Sequence, residues 1–227
     1  MKNLWRYWIT ISIIIFFTSC EKEAYLNMVR DADGNGYTMV TIGTQIWMKE
    51  NLKTAKYNDG SAVQLLTDIT KWSDSTNTGY CWYDGDDNNS SPYGALYNWY
   101  AVKTGKLCPK GWHVPSDAEW TTLTEYLGGE KVAGGKLKEA GPMHWSSLSA
   151  RTNNESGFTA LPGGYRNSVG SFDGIRNNGN WWTSTEDSAT VSERLVYMRW
   201  MNVSYPNVFR DLGGKKNGYS VRCIKDN

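Results

Sequence analysis

The amino-acid sequence predicts an α+β fold with two main helices, mixed sheets of short strands, and long loops. Three patterns indicate this: two segments in which apolar residues follow helical spacing, many short strand-like segments joined by glycine-rich loops, and hairpins at both ends of the domain. The helices come before most of the strands instead of alternating with them. This order argues against a doubly wound parallel sheet, in which helices and strands alternate.

The N-terminus predicts a bacterial lipoprotein signal. Residues 11–19 form an apolar run that follows Lys2 and ends at Cys20, and the run is far shorter than the roughly 20 residues of a transmembrane helix. We therefore expect cleavage of residues 1–19 and attachment of a lipid to Cys20. An ordinary signal peptide followed by a chance cysteine is the alternative.

The rest of the chain fits one domain. Cleavage leaves 227 − 19 = 208 residues, of which we assign 20–36 to a lipidated tether and 37–227 to the domain. Loss of Lys2 and Arg6 leaves 24 − 2 = 22 basic against 23 acidic residues, a formal charge of −1. Nothing in this balance favours a nucleic-acid partner, which would require a clustered basic surface.

The first strands form a predicted hairpin. Residues 37–42 and 45–48 alternate between apolar and polar side chains, and Gly43-Thr44 supplies a turn that begins with glycine. A long surface loop with a brief strand near 80–83 is expected next, because residues 58–92 are rich in Asp, Asn, Ser and Thr.

The two main helices are predicted in the middle of the chain. Residues 93–102 carry Leu96, Trp99 and Tyr100 on one helical face. The second helix follows Ser116, an N-cap that has Glu119 three residues later, and ends at two glycines. Its apolar stripe is Trp120, Leu123 and Leu127. A short helix at 135–140 and strands at 157–161, 181–184, 194–200 and 219–225 complete the prediction.

Six segments of the sequence carry a family resemblance. They are 46–52 (IWMKENL), 93–102 (YGALYNWYAV), 108–120 (CPKGWHVPSDAEW), 157–167 (GFTALPGGYRN), 181–186 (WWTSTE) and 218–226 (GYSVRCIKD). In this order they resemble the Fibrobacter succinogenes major paralogous domain family. The resemblance implies a secreted or lipid-anchored bacterial protein.

A more distant resemblance concerns the fold. VPSDAEW at 114–120 and GYSVRCIKD at 218–226 are similar to the first helix and the closing strand of formylglycine-generating enzymes, whose fold is of the C-type lectin type. The resemblance implies that the first and last strands pair, that helices cover one side, and that loops on the other side carry what is bound.

These resemblances also bear on the cysteines. They place Cys108 beside Cys223, so a disulfide between the two is implied, and they leave Cys81 as a buried or free thiol. A catalytic role for Cys81 is the alternative, although no histidine lies near it in sequence.

An enzymatic function is not expected. Copper-dependent formylglycine-generating enzymes use a cysteine pair late in the chain, and the only late cysteine here is Cys223. Relatives that bind metal through several histidines are no better matched, because the chain has only His113 and His144, which we expect to be packed or exposed singly.

Calcium is the one candidate cofactor. Asp84, Asp86, Asp87 and Asn88 crowd oxygen ligands into one loop, as Ca²⁺ prefers, although the spacing is not that of an EF-hand. The alternative is a solvated turn, which the same residues favour for backbone reasons. The similar segment 31–36 is shorter, and a turn is expected there.

A ligand site is predicted in the second half of the chain. Arg166, Asn180, Trp182 and Glu186 together offer an aromatic face, an amide and charged groups of the kind that bind sugars. The alternative is structural: Trp181 or Trp182 is core, and Glu186 pairs with Arg166 in the interior.

The expected function is that of a lipid-anchored protein of the cell envelope, in the outer membrane, that binds glycan or protein without catalysis. Two other classes stay open: a metal-dependent oxidative enzyme of the formylglycine-generating type, and a structural envelope component.

Overall fold

The computed structural model describes residues 28–74, 76–147, 152–188 and 195–227. The predicted signal peptide at 1–19, the lipid site Cys20 and residues 21–27 of the tether lie outside the described residues. Within the described part of the chain, no helix has the length and apolar character needed to cross a membrane.

Helices and strands are both present, so the fold is α+β. The helices of the described chain are α1 (Ile69–Asp74), α2 (Ser90–Tyr93), α3 (Trp99–Lys103), α4 (Asp117–Tyr126) and α5 (Glu130–Leu137). The strands are β1 (Val29–Arg30), β2 (Gly36–Tyr37), β3 (Met39–Ile42), β4 (Gln45–Met48), β5 (Gln64–Leu65), β6 (Gly79–Cys81), β7 (Leu96–Asn98), β8 (Trp112–His113), β9 (Gly163–Arg166), β10 (Phe172–Ile175), β11 (Asn178–Glu186), β12 (Leu195–Asn202), β13 (Phe209–Gly214), β14 (Gly218–Tyr219) and β15 (Ile224–Lys225).

The strands form three sheets. The largest has nine strands in the order β13-β12-β11-β9-β14-β7-β6-β5, with β10 paired to β9, and the second has the order β3-β4-β15-β8. Strands β1 and β2 form a small sheet of their own. In the second sheet Ile224 of the last strand is opposite Trp47 of an early strand, so the two ends of the domain are joined.

The hairpin and the capped helix are confirmed. Strands β3 and β4 pair up to Ile42 opposite Gln45, and Gly43 between them has φ +60°, a conformation that glycine adopts at little cost. Helix α4 begins after Ser116, whose hydroxyl accepts from the backbone N–H of Glu119 while the Glu119 carboxylate accepts from the N–H of Ser116.

The predicted helix over 93–102 is wrong in its first half. Leu96–Asn98 form strand β7, and the helix runs only over Trp99–Lys103, with the side chain of Asn98 as its N-cap. All three residues of β7 are buried. When both faces of a strand are buried, its apolar and polar residues no longer alternate, so the sequence lacks the pattern that distinguishes a strand from a buried helix.

Other boundaries also differ from the prediction. The loop at 58–92 contains β5, α1 and β6, and the helix predicted at 135–140 covers Glu130–Leu137. No strand forms at 157–161, where Ala160 makes a single bridge to Lys138, and the strand begins at Gly163 instead. Folded structure is present ahead of Tyr37, because β1 pairs with β2.

Helices α4 and α5 cover one face of the strands β11 and β12. Trp181 of β11 packs against Trp120 of α4, with ring centroids 6.1 Å apart, and Arg199 of β12 forms ion pairs with Asp117 and Glu130. Side chains of a strand alternate between its faces, so Asn180, Trp182 and Trp200 point the other way. That second face carries the candidate site.

Candidate functional site

A buried polar cluster joins the segments that carry the family resemblance. The carboxamide oxygen of Asn51 accepts hydrogen bonds from Nε and Nη2 of Arg222, at 3.0 and 2.8 Å, and from Nε1 of Trp181 at 2.9 Å. Its amide nitrogen donates to the carbonyl oxygen of Tyr93 at 2.8 Å. Burial lowers the pKa of Arg222 to about 9, so the guanidinium still carries its charge at neutral pH.

Arg222 also donates to backbone carbonyl oxygens of Met48, Lys49 and Phe158, and its guanidinium lies 4.4 Å from the Phe158 ring centroid. The cluster therefore ties five of the six segments together in the interior. Its polar atoms are satisfied by one another, which is what a buried network needs for stability. These residues form a framework and leave no group directed at a ligand.

The cysteines follow the implied pattern. Cys108 and Cys223 form a disulfide, and Cys81 is a buried thiol. Burial raises the pKa of the Cys81 thiol to about 12, although the neighbouring Arg166 acts in the opposite direction. A thiol that stays protonated is a poor nucleophile, which disfavours the catalytic alternative.

Arg166, the first residue of the predicted ligand set, lies in the interior. Its guanidinium donates to the carbonyl oxygens of Leu66, Thr67 and Gly170, and it lies 4.5 Å from the ring centroid of Trp72. The side chain is fully buried. Two of its donors are directed at the loop that carries α1 and the third at the turn between β9 and β10, so the group holds both segments and presents no charge at the surface.

Trp182 and Glu186 do not share a surface with Arg166. Trp182 is fully buried and donates from Nε1 to the carbonyl oxygen of Tyr97 at 2.7 Å. Glu186 forms ion pairs with Lys103 and Lys215, at 2.9 and 2.7 Å, and not with Arg166. The predicted four-residue set is therefore not brought together; of the structural alternative, the burial of Trp182 is observed, whereas the pairing of Glu186 with Arg166 is not.

Asn180, the remaining member of the set, lines an open cleft of about 260 Å³ on the sheet face opposite the helices. The cleft runs over strands β9 to β14. The residues that line it are Tyr165, Asn178, Asn180, Met198, Trp200, Asp211, Leu212 and Tyr219. Met198 and Tyr219 are buried, and Tyr219 packs on Trp182 with ring centroids 4.4 Å apart. The core thus supports the floor of the cleft.

Aromatic side chains stand on both sides of this cleft. Trp200 is opposite Phe209 in the register of β12 and β13, and their rings stack with centroids 4.1 Å apart and an interplanar angle of 17°. Tyr205, which is 53% exposed, contacts the edge of Phe209. On the other side Tyr165 packs edge-on against Tyr219. The cleft therefore has aromatic walls held in place by neighbours.

Polar groups with spare hydrogen-bonding capacity lie between these walls. Asn180 donates to the carbonyl oxygen of Gly164 at 3.3 Å, and no partner of its amide oxygen is found in the described part of the chain. Among the same residues, the indole N–H of Trp200 is also unpaired, and Asp211 uses only Oδ1, which accepts from the N–H of Leu212. The cleft thus offers donors and acceptors beside an aromatic surface.

The acidic loop forms two 3₁₀ turns. Asp84 has φ +55°, and Asp86 accepts through one oxygen from the backbone and side-chain nitrogens of Asn88. Across residues 28–74, 76–147, 152–188 and 195–227, no three Asp, Glu, His or Cys side chains converge in a way that fits a metal ion. The calcium ligands Asp84, Asp86, Asp87 and Asn88 stay a prediction, and the observed contacts are those of the alternative, a turn.

Both histidines contact carboxylates. His113 lies between Glu119 and Asp226, with Nε2 and Nδ1 at 2.8 and 2.6 Å from their oxygens. His144 contacts Glu139 at 2.8 Å and packs edge-on against Tyr93.

The segment 31–36 is a turn in which Asp31 accepts from the N–H groups of Asp33 and Asn35.

Sequence reasoning missed Trp200, Tyr165, Asp211 and Tyr219 as cleft residues. The available signal was the alternation within the predicted strand at 194–200, which places Met198 and Trp200 on one face. The sequence does not show which face a helix covers, so it cannot say that this face is open.

The model of the Fibrobacter succinogenes major domain matches residues 40–225. Neither the curated proteins nor the solved structures contain a match.

Proposed function

Because this chain belongs to the Fibrobacter succinogenes major domain family, and its open cleft lies apart from the buried cluster of Asn51 and Arg222, we propose that it is a non-enzymatic binding module for glycan or protein ligands. The site of binding is the cleft over strands β9 to β14.

One observation carries this proposal: the cleft combines aromatic walls with unpaired polar groups on a rigid sheet. Trp200 and Tyr165 supply apolar ring surface, and Asn180 and Asp211 supply hydrogen-bonding atoms. Ligand sites are characteristically concave, aromatic and furnished with a few placed polar groups. Side chains on strands whose core is packed beneath them are held in place before a ligand arrives, which lowers the entropic cost of binding.

The finer fold assignment is part of the proposal. A C-type lectin-like fold, similar to that of formylglycine-generating enzymes, is supported by the pairing of β15 with β4 and by the placement of α4 and α5 on one side of the sheet. The disulfide between Cys108 and Cys223 joins the segment before α4 to the closing strand.

The location follows from the N-terminal sequence. We infer that Cys20 carries a lipid and anchors the protein in the cell envelope, at the outer membrane. A lipid anchor would hold the cleft close to envelope glycans and proteins, the two ligand classes considered.

The enzymatic alternative has weaker support. Cys223, the only late cysteine, is occupied by the disulfide, and the Cys81 thiol is buried. The structural alternative predicts that the cleft binds nothing, so a binding experiment separates it from the proposal.

The test is a glycan-array screen of the full-length chain, purified in detergent, with calcium and with a chelator. It is run beside Trp200→Ala, and the matched control is Tyr126→Ala, an aromatic residue that is 66% exposed on α4 and remote from the cleft. A second screen uses extracts of envelope proteins.

We expect binding by the wild type and the control and its loss in Trp200→Ala, compared under conditions in which all three proteins are folded. Binding that Trp200→Ala retains would place the ligand elsewhere. Absence of binding to every glycan and extract would contradict the proposal and favour a structural role. Binding that is present with calcium and absent with the chelator would show that calcium is required.

A further inference from the structure

We propose that the ligand of the cleft is a neutral glycan chain, which lies across the sheet face between Tyr165 and Trp200, and that acidic polysaccharides bind more weakly. This inference rests on the proposed function, because it names the ligand class of the same cleft.

The charge of the cleft is the first step. Asp211 is the only charged residue among those that line it, and a second carboxylate, Asp173, contacts the hydroxyl of Tyr165 at 3.3 Å. No Lys or Arg is among the lining residues of the described chain. An anionic polymer would lie against carboxylates without a compensating cation, which is electrostatically unfavourable.

Two basic residues that are next to cleft residues in sequence are engaged elsewhere. Arg210, next to Asp211 in β13, forms an ion pair with Asp117 at 2.9 Å on the opposite face of the sheet, and its guanidinium lies over the ring of Tyr197. Arg166, next to Tyr165, is buried against Trp72. Alternation along each strand therefore directs the carboxylate of Asp211 toward the cleft and the cation of Arg210 away from it.

The length of the aromatic surface is the second step. On one side Trp200 lines the cleft and is in ring contact with Phe209, which in turn contacts Tyr205, and on the other side Tyr165 and Tyr219 are in contact. The first group belongs to β12, to β13 and to the loop after β12, and the second group belongs to β9 and β14. A ligand that covers both must extend across the sheet, which favours a chain over a single sugar.

The available hydrogen bonds suit hydroxyl groups. The unpaired Oδ1 of Asn180 and Oδ2 of Asp211 accept, and the N–H of Trp200 donates. A sugar hydroxyl donates and accepts, so it pairs with either kind of group. A carboxylate or sulfate on the ligand only accepts, so it cannot pair with the Oδ1 of Asn180 or the Oδ2 of Asp211.

The test compares polymers of known charge. The full-length chain is run in affinity electrophoresis against β-glucan, galactomannan and dextran as neutral probes, and against polygalacturonate and alginate as acidic ones, at low and high salt. The variants are Asp211→Asn, which keeps the shape of the side chain, Asp211→Lys, which reverses its charge, and Trp200→Ala.

We expect the wild type to bind at least one neutral polymer, independently of salt, and to bind longer oligomers of it more tightly than the monosaccharide. Binding to acidic polymers should be weaker by about fivefold or more at low salt, and Asp211→Lys should reduce this difference.

Wild-type binding to acidic polymers that equals or exceeds binding to neutral ones would overturn the inference. If Trp200→Ala then still abolished binding, the proposed function would stand. A monosaccharide that binds as tightly as its oligomer would overturn the extended-chain part, and binding to none of the probes would overturn the choice of a neutral glycan.

Discussion

The side chain of Asn51 holds Arg222 in the protein interior through two hydrogen bonds to one oxygen, at 3.0 and 2.8 Å. Both residues belong to segments that carry the family resemblance, and both are buried. The segments that make the family recognisable therefore build its framework here. The proposed binding surface consists largely of other residues, led by Trp200 and Asp211 on the open sheet face.

Removal of the Asn51 carboxamide should destabilise the protein strongly. In Asn51→Ala, Arg222 loses two acceptor contacts and the indole N–H of Trp181 loses its partner. The lost acceptor of a buried guanidinium and an unsatisfied buried indole donor together cost about 3 kcal/mol or more of unfolding free energy. Urea unfolding measures this loss. The matched control is Asn177→Ala at an exposed position, which should change stability by less than about 1 kcal/mol. Equal effects of the two variants would show that the cluster does not support the fold.

Loss of the disulfide should also be costly. Cys108 and Cys223 are separated by 115 positions, and closing so long a loop contributes on the order of 4 to 5 kcal/mol in the chain-entropy model. The double variant Cys108→Ala, Cys223→Ala should lower the unfolding free energy by an amount of this order. Cys81→Ala, which removes a buried thiol without opening a loop, is the control. If the double variant were no less stable than this control, the disulfide would contribute nothing to stability.

The Cys81 thiol should be inert in the folded protein. Burial raises its pKa to about 12, so almost no thiolate exists at pH 8. In a Cys20→Ser variant, in which Cys81 is the only cysteine outside the disulfide, a thiol reagent at pH 8 should label the native protein very slowly and the urea-unfolded protein fully. Rapid labelling of the native protein would revive the catalytic alternative.

His113 should make stability depend on pH. Burial by itself lowers the pKa of His113, but its hydrogen bonds to Asp226 and Glu119 outweigh burial and raise the pKa above 6.5. A group whose pKa is higher in the folded than in the unfolded state stabilises the protein fully at pH values below its unfolded-state pKa. This stabilisation is lost as the pH rises through the folded-state pKa. Because the groups are partly exposed, the effect should stay below about 1 kcal/mol.

His113→Gln should therefore lose more stability at pH 5.5 than at pH 8.5, as measured by unfolding at both values. Burial raises the pKa of Glu119, but hydrogen bonds from Ser116 and His113 outweigh burial and lower it. Protonation of Glu119 at acidic pH therefore ends the stabilisation that its pair with His113 provides. An Asp226→Asn variant should show a weaker form of the same pattern. A loss that is equal at both pH values would rule out the charged pair as its cause.

Local sequence signals predicted the parts of the fold that depend on local chemistry. The Ser116–Glu119 capping box and the turn at Gly43 are determined by residues a few positions apart, and both were predicted correctly. The strand Leu96–Asn98 was predicted as a helix because burial on both faces removes the alternation that marks a strand.

The site was harder to predict because exposure is a tertiary property. Arg166 and Trp182 have side chains suited to sugar binding, but the chain folds them under neighbouring elements. Asn180 lines the cleft, since it lies on the uncovered face of β11, although most of its side chain is buried. Trp200 lies opposite it in the next strand, and only the strand pairing brings the two together.

The most direct test of the central claim is the affinity of Trp200→Ala for the polysaccharide that the wild type binds most tightly. It is measured under conditions in which both proteins are fully folded. The claim predicts a loss of at least about tenfold, because truncation of an aromatic anchor removes more than about 1.4 kcal/mol of binding free energy. Unfolding free energy is measured in parallel, because Trp200 stacks on Phe209 and its truncation also removes packing. Wild-type affinity in Trp200→Ala, or an equal loss in Tyr126→Ala, would contradict the assignment of binding to this cleft.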